Sequence, residues 1–328
     1  MADRVIIVGA SRRGERIPIG SLRQMCGRAG RGHELGECHA DLIVAESDAD
    51  YVENGLNLAS ELSISSVLSK KNLLAFHILP EIASEEVLDV VSAELWHERS
   101  FHSYLGFEVK WEKIFEFLSE HGCVIWDGNF VKITPLGSIT ASYYFHSSDV
   151  CDWKNNFSFI FELGLENDDL ALAWALGNVR NNRRSGDCSK LGEIIEDCRN
   201  RLPVPLEIDD GCVLTVLLWW HVFGGPPVGK LKNQSIELKS DFGRIYKVLS
   251  AIDSDVSNWG MQSFFDDLLL RSKKAISSEL VKLIKIGGIT KGQAIALKDR
   301  GISNRKELLE SKEHMDLTDV LGEGYDFS

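Results

Sequence analysis

The sequence predicts a multidomain, mainly α-helical protein that opens with a short α/β segment. Three observations carry this. Apolar residues recur at helical spacing through much of the chain, most clearly at Trp111, Ile114, Phe115 and Leu118. Strand-like β-branched runs lie near the start, at Val5 to Val8 and in the stretch ADLIVAE over 40–46. A turn signal, Asp127-Gly128-Asn129, separates two further short strand-like stretches, Cys123 to Trp126 and Phe130 to Thr134.

The 328 residues leave room for several small domains, and we expect four, over 1–54, 55–147, 148–272 and 273–328. Hydrophobic residues at 44% and charged residues at 26% are ordinary for a globular protein. No apolar run reaches membrane-spanning length; Val213 to Val222 is too short and contains His221. No leader peptide is legible, so we expect a cytoplasmic protein, or a nuclear one in a eukaryote, with no membrane partner. Seven cysteines without a C-x-x-C pair point to reduced thiols rather than a disulfide framework or zinc site. The net charge of −13 is unevenly spread. Residues 1–35 hold seven Arg/Lys against three Asp/Glu and residues 271–306 ten against two, so these segments carry +4 and +8 and the remainder −25. Two basic segments on an acidic body imply local phosphate contacts, or internal pairing with that body.

In chain order, Val5 to Val8 reads as a buried parallel strand and 40–46 as a second. Gly9 to Gly14 is a loop carrying Arg12 and Arg13, and a helix is expected from about Gly20. Leu62 to Leu68 and Ile78 to Leu95 have helical patterns. Lys110 to His121 is a helix closed by Gly122, and the hairpin after it completes a winged-helix ending. Trp111, Phe115 and Phe117 are expected in the core. Asp168 to Leu176 and Leu191 to Arg201 are helices, the second ended by Pro203 and Pro205. Val213 to Val222, apolar on every side, should be a buried helix. Ser240-Asp241 reads as the N-cap of a helix from Phe242 to Ile252. Glu279 to Ile286, a Gly287-Gly288-Ile289-Thr290 turn, a helix with Ala294 and Leu297, and a helix from Lys306 to Leu309 follow. Glu310 to Ser328 is an acidic tail.

The most informative stretch is Gln24-Met25-Cys26-Gly27-Arg28-Ala29-Gly30-Arg31. Glycine lets backbone approach a phosphate, and guanidinium groups present planar forks of donors to it. The octet resembles motif VI of superfamily-2 helicases in the form used by the Ski-like branch, which includes archaeal fork-repair helicases and the helicase half of DNA polymerase theta. The resemblance extends along nearly the whole chain in the family's order. It implies the rear part of a second RecA-like domain, a winged helix, a helical ratchet bundle and a helix-hairpin-helix. It also implies that Arg28 and Arg31 face the phosphates of ATP, with Gln24, Gly27 and Gly30 near the nucleotide. Arg12 and Arg13 would touch backbone phosphates. Arg244 and Lys247 would line the ratchet helix, with Tyr246 as a stacking residue. The hairpin would approach DNA through Gly288 and Thr290, supported by Lys282, Lys285 and Lys291. The family hairpin has glycine where Thr290 stands, so strain is expected there.

No G-x-x-x-x-G-K-[ST] loop and no D-E-x-H box occurs in the sequence. ATP and Mg²⁺ are therefore expected only if a separate ATP-binding helicase subunit supplies the missing half, and nothing intrinsic should hold either. Met1 to Ile7 resembles the residues that follow motif V in the family, which points to a late start or an interrupted frame. The expected function is the C-terminal portion of a DNA helicase moving 3′ to 5′ on single-stranded or tailed DNA, with RNA the lesser expectation. The alternatives are a non-catalytic DNA-binding or interaction subunit and a truncated remnant.

Overall fold

The computed structural model describes residues 4–12, 15–29, 38–57, 66–186, 188–322 and 325. The chain divides into two units, Met1–Ser66 and Val67–Ser328. The described residues are mainly helical.

In the first unit, strand β1 (Arg4–Val8) pairs in parallel with β4 (His39–Ile43), Arg4 opposite His39 and Val8 opposite Ile43. Between them lie a minimal hairpin, β2 (Ser11–Arg12) with β3 (Glu15–Arg16), and helix α1 (Ile19–Cys26). Helix α2 (Glu46–Asn57) follows. Ile7, Ala10, Leu22 and Val52 form the core, with Val5 and Leu42 packed against it. The expectation of buried strands is corrected: Ile6, Val8 and Ile43 are 58%, 77% and 59% exposed. Successive strand residues point to opposite faces, and among the described residues helices cover only one of them. Arg23 donates to the carbonyls of Gly55 and Leu56 at 3.2 and 2.8 Å, which closes the last turn of α2. The two helices come so close that a Cβ at Gly55 would stand 2.3 Å from Ile19.

The second unit begins with helix α3 (Lys71–Ala83). The single helical pattern expected over Ile78 to Leu95 is two helices, because α4 (Val90–Glu98) starts afresh. Asp89 accepts the Ser92 amide at 2.7 Å while the Ser92 hydroxyl accepts the Asp89 amide, a reciprocal cap that fixes the new start. Of the expected 62–68 helix, only a single 3₁₀ turn at Val67–Ser69 lies in described residues. After the short α5 (Phe101–Tyr104), α6 (Trp111–Glu120) buries Trp111, Ile114, Phe115 and Leu118. Gly122 follows at φ +69°, then β5 (Val124–Trp126) pairs antiparallel with β6 (Val131–Ile133). Asp127 makes the turn by accepting the amides of Asn129 and Phe130 at 2.8 and 2.7 Å. Thr134 and Pro135 start α7 (Pro135–Tyr143).

A larger core is built from α8 (Ser147–Glu162), α9 (Asp169–Gly177), α10 (Gly192–Arg201), α11 (Val213–Val222), α12 (Lys232–Ile252) and α13 (Gln262–Lys274). Helix α12 corrects the expected cap at Ser240-Asp241. Ser235, Leu238, Phe242 and Ile245 are buried at three- and four-residue spacing, so packing carries the helix through two residues that favour caps elsewhere. The chain ends in α14 (Val281–Ile284), α15 (Lys291–Asp299), α16 (Arg305–Lys312) and α17 (Thr318–Leu321), around a core that includes Leu283, Ala294, Leu297 and Leu308. This part is joined to the bundle by Arg271, 3% exposed at its side chain, whose Nη2 lies 2.5 Å from Asp169.

Two fold-level outcomes are expected. Arg271→Met leaves Asp169 without its partner and should cost about 3–5 kcal/mol, while Arg271→Met with Asp169→Leu should recover most of that. Urea unfolding of both variants checks it, and equal losses would refute the pairing argument. His97 and His102 meet at 2.8 Å between buried rings, and burial holds both below the usual histidine pKa. Each therefore takes up its proton more readily when unfolded, so stability is full above the ordinary value of 6.5 and falls as pH drops below it. Urea midpoints measured from pH 8 to 5 should fall further for the wild type than for His97→Leu/His102→Phe.

Candidate nucleic-acid interface

The hairpin between α14 and α15 is built from local chemistry. Gly288 takes φ +81°, where a side chain would be strained, and reverses the chain. Ile289 is buried and anchors the turn. Thr290 is at φ −79° and caps α15: its hydroxyl accepts the Gln293 amide at 3.3 Å, and Gln293 Oε1 accepts the Thr290 amide at 2.8 Å. The strain expected at Thr290 is thus absent. The left-handed residue is Gly288, and the β-branched threonine has the extended geometry that N-caps require. The first two amides of α15, at Lys291 and Gly292, have no hydrogen-bond acceptor among the described residues, and a Cβ at Gly292 would meet nothing within 4 Å. Open amides with the positive end of a helix dipole behind them can accept a phosphate. Tyr325 lies beside the turn, its hydroxyl donating to Gly287 O at 2.9 Å.

The basic side chains around this hairpin are sorted by the structure. Lys282 is exposed on α14 and makes no ion pair among the described residues. Lys285 is paired with Asp267, and Lys291 donates to the carbonyl of Ala275, so two of the three expected lysines are already engaged. Lys298 with Glu279, Arg300 with Asp319 and Lys306 with Glu310 are paired as well. Lys273, Lys274 and Arg305 are exposed and unpaired among the described residues, and the sequence reading did not single them out. Their signal was the local charge excess alone, which does not say which cations find partners. Lys291 ties the start of α15 to Ala275, directly after Lys273 and Lys274.

On α12, Arg244 and Lys247 are exposed one turn apart. The Arg244 guanidinium lies 4.4 Å from the centre of the Phe145 ring, which orients it while leaving it exposed. Tyr246, expected as a stacking residue, is half-buried on the same helix. Its hydroxyl donates to Asp266 at 2.6 Å and accepts from Gln262 at 3.2 Å, which ties the ring to α13.

In the first unit, Gln24 lies on the last turn of α1 and Gly27 caps that helix. The amides of Gly27, Arg28 and Ala29 donate to Arg23, Met25 and Cys26 at 2.9, 3.1 and 3.1 Å. Gly27 therefore offers no free amide to a phosphate, and its φ of −67° needs no glycine. The exposed Arg28 is left with its side chain as the contact. Arg12 stands in β2, opposite Glu15. Arg13, Gly30 and Arg31 lie outside the described residues. A nucleotide's phosphates need a cradle of free amides, and these three tied amides do not make one.

No protein-family model matches the chain, and no curated protein matches it either.

Thr290 offers a direct check on the hairpin. Thr290→Ala should lower stability by about 1 kcal/mol through loss of the cap, and Thr290→Gly should not stabilise. A gain in the melting temperature of Thr290→Gly would restore the strained hairpin.

Proposed function

We propose that this chain is the DNA-gripping C-terminal portion of an ATP-dependent superfamily-2 helicase of the Ski-like type, working on single-stranded or tailed DNA. The observation that carries the reading is the α14–α15 hairpin, with its two open amides and the unpaired Lys273, Lys274 and Lys282 on the neighbouring segments. Amides and lysines bind phosphate without reading bases, which is what a translocating motor needs. Arg244 and Lys247 supply a second set of exposed cations on α12. In this reading Arg28, with Arg31, faces ATP held by another RecA-like domain, which also brings the phosphate loop and the magnesium carboxylate. The exposed face of β1 and β4, with Ile6, Val8 and Ile43, favours docking onto such a domain. Hydrolysis at that shared site would supply the energy for 3′-to-5′ movement, and this chain's part would be to grip the strand. No helix of the described residues is long and apolar enough to cross a membrane.

Fluorescence anisotropy of a labelled single-stranded oligonucleotide, titrated with the full chain over a range of salt, tests the reading. Affinity should fall steeply with salt. Lys273→Ala/Lys274→Ala/Lys282→Ala should make the log–log slope shallower by about 2, since each phosphate contact contributes roughly 0.7 on single strands. Lys285→Ala, whose lysine is already paired with Asp267, should leave the slope unchanged. Binding that the triple variant does not alter would move the interface away from the hairpin. No binding at low salt would defeat the reading.

A further inference from the structure

An apolar stripe with an acidic border runs along the outer side of α4. Leu88, Val91 and Leu95 are 47%, 65% and 56% exposed, and Phe130 is 63% exposed. Val91 and Leu95 stand one turn apart on α4, and Leu88 precedes Val91 by three residues, just before the Asp89 cap. The hairpin brings in Phe130: Asp89 bridges Phe130, and the Val131 amide donates to Leu88 O at 2.8 Å. The inner side of the same helix already has its core contacts, with Ala93 and His97 buried. A surface helix normally turns polar residues outward, so a row of large apolar side chains left in water marks a place where another molecule packs.

Positions 88, 91 and 95 follow the alternating three- and four-residue spacing with which one helix packs on another, each row of side chains filling the gaps of its partner. The charges beside the row narrow the choice. Glu94 follows Val91 by three residues and Glu98 follows Leu95 by three, while Glu85 and Glu86 precede Leu88. These glutamates are exposed and make no ion pair among the described residues. Residues 84–98 hold five Asp/Glu and no Lys or Arg, and Arg99 follows at the C-cap of α4. Such a field repels nucleic-acid phosphates and anionic membranes. Two copies pairing through the same face would set carboxylate against carboxylate. A helix that carries Lys or Arg beside its own apolar row complements both features at once, as the flanking charge pairs of coiled coils do.

We propose that this face docks a basic amphipathic helix of a partner protein, its apolar row against Leu88, Val91, Leu95 and Phe130 and its cations against Glu94 and Glu98. This docking is independent of DNA binding at the α14–α15 hairpin.

The probe is a fluorescein-labelled model peptide of about 18 residues, with leucines on one helical face and lysines beside them. It is titrated into the full chain and followed by anisotropy and by amide chemical shifts. Saturable one-to-one binding is expected, with shifts at Leu88, Val91, Leu95 and Phe130. Val91→Ser/Leu95→Ser should weaken it by about tenfold or more, and so should Glu94→Lys/Glu98→Lys, which changes only surface charge. Circular dichroism should be that of the wild type for both. A peptide of the same composition, shuffled so that it has no apolar face, should bind about tenfold more weakly. Val91→Ser/Leu95→Ser should leave the titration with a single-stranded oligonucleotide as it is in the wild type. No saturation, shifts confined to other surfaces, affinity that both variants leave intact, or equal binding of the shuffled peptide would overturn the docking face. Displacement of the peptide by the oligonucleotide would assign the face to nucleic acid instead. Self-association in sedimentation velocity that Val91→Ser/Leu95→Ser abolishes would assign it to a second copy of this chain.

Discussion

The second unit depends on one buried ion pair. Arg271 sits near the end of α13 with its guanidinium against Asp169 at the start of α9 and 5.0 Å from the centre of the Phe223 ring. Asp169 also accepts the Ser278 amide at 3.4 Å, and the Ser278 hydroxyl donates to Asn167 O at 3.2 Å. Arg271 Nε reaches Ile276 O at 3.4 Å. The turn that leads into the hairpin helices is therefore held by hydrogen bonds to one carboxylate and one guanidinium. Burial pushes the arginine pKa down, and Asp169 opposes that shift. A pair withdrawn from water gives little net stability, but leaving either partner alone is costly. Its effect is to specify where the last helices sit on the bundle.

A second polar cluster does the same between α3 and the bundle. Asn181 accepts from Asn72 at 3.0 Å and donates its backbone amide to Asp149 at 2.8 Å. Beside it, Arg180 reaches Asp152 at 3.0 Å and His121 at 3.3 Å. Asp149 is buried deeply enough that its pKa is pushed up to about 6, although the Asn181 bonds favour its ionised form. Hydrogen-bonded polar groups in a closed setting have few alternative arrangements, so the cluster fixes the register of helices whose apolar faces would tolerate sliding.

The same economy governs the surface charge. Most cations of the 271–306 segment are engaged by acidic neighbours or carbonyls, which leaves Lys273, Lys274, Lys282 and Arg305 without an ion pair among the described residues. A charge count over the segment overstates the phosphate-binding capacity, because ion pairs formed within the fold subtract from it.

Local signals decided much of the fold. The α6 periodicity, the glycine at 122, the Asp127-Gly128-Asn129 turn and the Thr134-Pro135 start are short-range devices, and each appears where the residues call for it. Sequence also placed the buried helix at Val213–Val222 and a turn of the chain between α14 and α15. Packing decided the rest. Ser240 and Asp241 lie inside α12 because buried residues on both sides outweigh a weak local preference. The open face of β1 depends on what covers it, which no run of β-branched residues can reveal. The sequence by itself determined those helices and turns whose signals are local, such as α6 and the turn at Asp127. Only the tertiary structure decided which cations and amides remain free, because pairing is a property of neighbours distant in the chain, such as Asp169 and Arg271.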